Sequence, residues 1–128
     1  MTADELKKRT KQFALRMLTL ADSLPGKPPG RVLSHQIAKC GTSTAANYRA
    51  ACKARSHAEF IAKLGIAEEE ADEGEFWIEL AMEHKLVPAR RLLPLHKESG
   101  ELTAILAASR KTACGRASNR KSTIQNRQ

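Results

Sequence analysis

A chain of 128 residues with a formal charge of +8 and 41% hydrophobic residues is long enough to bury one core and too short for two. No apolar run approaches the ~20 residues of a membrane span and no charged start leads into an apolar secretory segment, so no membrane association and a cytoplasmic location are expected. The three cysteines, Cys40, Cys52 and Cys114, contain no CxxC pair, which sets aside a disulfide framework or zinc ribbon and leaves buried or inert thiols.

Ala, Leu, Glu, Lys and Arg dominate, while β-branched and aromatic residues are scarce, so helices are expected throughout and no strand. From Asp4 to Leu24, the residues Leu6, Phe13, Met17, Leu20 and Leu24 form one apolar stripe at helical spacing. The PGKPPG run, Pro25 to Gly30, ends that helix and reverses the chain. A second helix is predicted over Arg31 to Ala54, with Leu33, Ile37, Cys40, Thr44, Asn47, Tyr48 and Ala51 on one side. Its small residues Gly41, Ser43, Ala45, Ala46 and Ala50 permit close approach of a neighbour.

Ser56 stands three residues before Glu59, a capping box that starts a third helix near residue 57. It is expected to run to about Leu86 along a seam of Phe60, Leu64, Ala67, Ala71, Gly74, Ile78 and Ala81. Pro88 and Pro94 bracket a connection, after which Leu95, Leu102, Ile105, Leu106 and Ser109 mark a fourth helix. Its start falls anywhere from residue 88 to 95, and its end before Gly115. Residues 115–128 lack periodicity and read as a disordered basic tail. The fold expected for residues 1–114 is all-α, an antiparallel up-down-up-down four-helix bundle.

Three stretches carry a resemblance: Asn47, Tyr48 and Ala51; then Arg55, Ser56, Glu59 and Phe60; then Glu70, Ala71, Glu73, Phe76, Trp77, Ile78, Glu79 and Leu80. In this order they resemble the four-helix bundle family of 23S rRNA intervening-sequence proteins, over roughly residues 13 to 110. The chain departs from the family pattern at Ala50, where a Glu is usual. The resemblance implies a four-helix bundle that assembles as a homopentamer, with some members encoded inside ribosomal RNA genes. It also implies a distant likeness to the accessory protein of diversity-generating retroelements, which engages a reverse transcriptase and nucleic acid.

Charge is unevenly placed. Residues 1–55 hold eleven Lys/Arg against three Asp/Glu, residues 56–114 hold seven against eleven, and residues 115–128 hold four against none. Lys7, Lys8 and Lys11 lie opposite the apolar stripe of the first helix, with Arg9 and Arg16 flanking, and Arg31, His35, Lys39, Arg49 and Lys53 share the outer side of the second. With Arg116, Arg120 and Lys121 they make a candidate surface for RNA or DNA, suited to phosphates and to salt-dependent, sequence-independent binding; the same lysines would also serve simply to keep a bundle soluble. In the third helix Glu68, Asp72, Glu75, Glu79 and Glu83 form an acidic row, which together with Trp77 makes a candidate interface between subunits of a ring. The ring and the nucleic acid would then compete for the same cations. Aromatic platforms for stacking bases are nearly absent, which favours contact with the phosphate backbone over base readout.

Chemistry finds little support. None of His35, His57, His84 or His96 has Glu three residues before it, so the Glu-x-x-His signature of di-iron bundles is missing, and no metal or cofactor is expected. Glu70, Glu73, Trp77 and His84 share a flank of the third helix that suits a small ligand or a salt-bridge layer between subunits. No nucleophile, base and orienting group fall together, and no Gly-rich phosphate loop exists. A non-enzymatic, oligomeric nucleic-acid-binding accessory protein is the expectation, with a protein-interaction scaffold, recruiting for example a reverse transcriptase, as the alternative.

Overall fold

In the computed structural model, which describes the backbone of residues 1–126 and the side chains of residues 1–116, the chain forms α1 (Ala3–Ser23), α2 (Pro28–Cys52), α3 (His57–Glu83) and α4 (Ala89–Asn126). There is no strand among the described residues. Connections this short force consecutive helices to run antiparallel, and each helix packs along the next, giving an up-down-up-down four-helix bundle. The α1–α4 seam is the loosest of the four.

Caps set most of the boundaries. Thr2 begins α1 with a full capping box, its hydroxyl accepting from the Glu5 amide while the Glu5 carboxylate accepts from the Thr2 amide, both at 3.1 Å. Ser56 caps α3 by accepting from the Glu59 amide at 3.0 Å. The Glu59 carboxylate meets the Arg55 amide at 3.2 Å instead of the Ser56 amide, so only half of the expected box closes.

Three ends differ from the sequence expectation by three residues or more. Helix α2 starts at Pro28, inside the run read as a loop, because proline in the first helical turn gives up only an amide that has no intrahelical partner. Helix α3 stops at Glu83 rather than Leu86. There Lys85 adopts φ 59°, and the Leu86 and Lys85 amides donate to the carbonyls of Ala81 and Met82, each at 3.0 Å, which is a Schellman motif with lysine in the left-handed position. Helix α4 continues past Gly115 to Asn126, where a disordered segment was expected from residue 115. Extending an established helix needs propagation only, and one exposed glycine, costing about 1 kcal/mol relative to alanine, is too weak a stop.

The core is the union of the four stripes. Phe13, Met17, Ile37, Cys40, Leu64, Ile78, Leu102 and Leu106 are fully buried. Buried hydroxyls are satisfied internally: Thr44 donates to the Cys40 carbonyl at 2.7 Å and Ser99 donates across the bundle to the Ala71 carbonyl at 2.6 Å. Gly41 faces α1 so closely that a Cβ there would lie 2.4 Å from the Met17 Cβ. This contact sets the α1–α2 spacing and hence the outer groove between the two helices.

Candidate nucleic-acid interface

On the outside of that close pair, Lys7, Lys8 and Lys11 of α1 and Arg49 of α2 line a groove of about 450 Å³ whose floor includes Ala45 and Ala46. Side chains of one carbon at Ala45 and Ala46 keep the groove open between the cations of the two helices. Lys8, Lys11 and Arg49 are exposed and form no ion pair among the described residues, while Lys7 makes a 3.4 Å contact to the exposed Asp4. Lys53, exposed just beyond the end of α2, lies at the same end of the bundle.

The remaining candidate cations are dispersed. Arg31, eighteen residues before Arg49 on α2, stands ~27 Å away along the helix axis. Lys39 approaches Glu70 of α3 at 3.9 Å. Arg16 lies in a different groove, between α1 and α4, with Arg91, Leu92 and Leu95. Arg116 lines a depression with His57 and Phe60 near the start of α3. The side chains of Arg120 and Lys121 lie outside the described residues.

Arg9, a flanking cation in the sequence, is instead a structural clamp. Its guanidinium donates twice to Glu98, at 2.9 and 2.6 Å, and once to Glu101 at 2.7 Å, tying α1 to α4 where the helices meet least. Those hydrogen bonds raise its pKa above the ordinary arginine range.

The acidic row of α3 is largely matched within the chain. Arg110 donates to Glu68 at 2.6 Å, and hydrogen bonding to that carboxylate raises the pKa of the guanidinium. The His96 Nε2 lies 2.9 Å from a Glu79 oxygen and 3.6 Å from a Glu75 oxygen. Asp72 is exposed beside Glu69 in a shallow depression with Thr103. Trp77 turns towards α2, in a groove with Pro28, Pro29, Val32 and Leu80 that it shares with His84 and with Glu83, the last member of the row. Its indole N–H is buried without a hydrogen-bond partner, and the half-exposed Phe76 stands edge-on to it at 5.2 Å.

Further along the same α2-facing flank of α3, Glu70 and Glu73 reach the Cys40 thiol, which contacts a Glu73 oxygen at 3.8 Å. Burial, reinforced by the two carboxylates, pushes the Cys40 thiol up to about 12. The two Glu–Cys and Glu–His groupings escape a motif search because each joins residues from different helices.

No helix among the described residues is long and apolar enough to cross a membrane. No curated protein matches the chain. A solved structure from Bacteroides thetaiotaomicron, described as a protein of unknown function from the S23 ribosomal protein family, superposes with a TM-score of 0.80 at 34% identity, covering 87% of this chain and 99% of that one. The profile of the 23S rRNA-intervening sequence proteins matches residues 4–108. With the same four-helix architecture and a match over most of its length, the chain belongs to the 23S rRNA-intervening sequence protein family.

Proposed function

We propose that this protein is a non-enzymatic, oligomeric accessory protein that binds the phosphate backbone of RNA or DNA in the α1–α2 groove. The observation that carries the reading is the convergence of Lys7, Lys8, Lys11 and Arg49 on a channel floored by alanine. Cations at this density release condensed counterions when they meet phosphates, and that release drives binding without reading sequence. Matching of Glu68, Glu75 and Glu79 within the chain favours a ring contact other than acidic row against basic ridge, which leaves the groove free for nucleic acid.

The apolar groove around Trp77 favours a second reading, a scaffold that recruits a protein such as a reverse transcriptase. Direct binding of a labelled single-stranded RNA and a duplex DNA at low salt separates the two. Reversing Lys8, Lys11 and Arg49 to Glu together is expected to weaken binding by at least ~100-fold. Undiminished binding by the triple variant would eliminate the groove, and a partner retained by the wild type after nuclease treatment, without nucleic-acid affinity, would establish the scaffold instead.

A further inference from the structure

We propose that Glu75, Glu79 and His96 form a binding site for one divalent transition-metal ion of the zinc type, bridging α3 and α4. One carboxylate oxygen from each glutamate and one imidazole nitrogen lie within 4.8 Å of one another. Glu75 and Glu79 are one turn apart on α3, so their carboxylates repel unless something between them is positive. Among the described residues His96 is the sole basic side chain that meets either glutamate, so one imidazole is shared by two carboxylates. A divalent ion held between them would offset both carboxylate charges.

The donor types agree with this. Imidazole nitrogen and carboxylate oxygen are the ligands of zinc and its first-row neighbours, and three protein ligands with an open position form a complete set for such an ion. The side chains keep 27%, 28% and 46% of their exposure for His96, Glu75 and Glu79, so an ion reaches them from solvent. Gly100, one turn beyond His96, places no side chain against the Glu75 carboxylate; even a Cβ there would lie only 3.5 Å from one of its oxygens. The ion would pin the α3–α4 hairpin near its turn and, by binding the folded state alone, raise its stability.

The competing grouping of Cys40, Glu70 and Glu73 provides the control, since a thiolate ligand has a distinct charge-transfer absorption. The full chain, stripped with chelator, is titrated with Co²⁺ as a spectroscopic probe and then with Zn²⁺, and its melting is followed with and without Zn²⁺. Expected are one equivalent bound, no thiolate band, displacement by Zn²⁺ and a higher melting temperature. Glu79→Gln and His96→Gln should each weaken binding by roughly tenfold or more, with wild-type circular dichroism, while Cys40→Ser binds as the wild type does. Binding unchanged in both ligand variants, a thiolate band lost in Cys40→Ser, or the absence of saturable uptake together with an unmoved melting temperature would each overturn the proposal.

Discussion

Cys40 has no exposed surface and faces two carboxylates, so its thiolate is disfavoured both by burial and by charge. Its expected behaviour is inertness: thiol reagents should modify the exposed Cys52 in the native protein and Cys40 only in denaturant, as mass spectrometry of labelled peptides would show. The shift also has a stability sign. A thiol held neutral to about 12 when folded but ionising near 9 when unfolded contributes stability that is complete below pH 9 and lost as pH rises from 9 towards 12. Cys40→Ala should therefore show a shallower alkaline loss of stability than the wild type in denaturant titrations across that range. Burial of Cys40 is legible in the sequence, because it occupies the apolar stripe of its helix. The Glu75–Glu79–His96 grouping is not, since no spacing on one helix contains it. It follows only once the turn at Lys85–Leu86 is fixed, because Glu75 and His96 then stand ten residues to either side of the turn, with Glu79 one helical turn nearer to it.

Among the helices, small residues do most to fix geometry. At Gly41 the Met17 Cβ leaves no space, so Gly41→Ala must push α1 from α2, and overpacking of this kind costs about 1–3 kcal/mol. That outweighs the ~1 kcal/mol that alanine would return through helix propensity, and chemical denaturation should show a net loss; a gain would mean that the helices are not in contact there. Lys85 offers the opposite change. Its left-handed backbone, φ 59°, suits glycine, and Lys85→Gly should stabilise the protein by about 0.5–1 kcal/mol in the same assay. Apolar periodicity revealed all four helices because packing in a bundle repeats along each stripe. The boundaries were less legible for local reasons: Pro28 is as good a first helical residue as it is a loop residue, lysine gives no warning of a left-handed cap, and Gly115 ends a helix only where packing also ends.

Across the whole molecule, the fold turns an uneven sequence charge into separate surfaces with different work. Of the cations that the sequence grouped as one ridge, Lys7, Lys8, Lys11 and Arg49 share a groove, Arg9 clamps α1 to α4, Lys39 approaches Glu70, and Arg31 stands at the far end of the bundle. A helical wheel locates a face but not the partner across it, which is why the ridge was legible and its division was not. The groove-binding account rests on the four cations that remain, and the salt dependence of affinity counts them directly. With three or four phosphates neutralised, log K for a single-stranded RNA should fall against log[salt] with a slope of about −2 to −3, and the Lys8, Lys11, Arg49 triple reversal should bring that slope close to zero. A slope near zero in the wild type, or one that the triple variant leaves unchanged, would contradict the account.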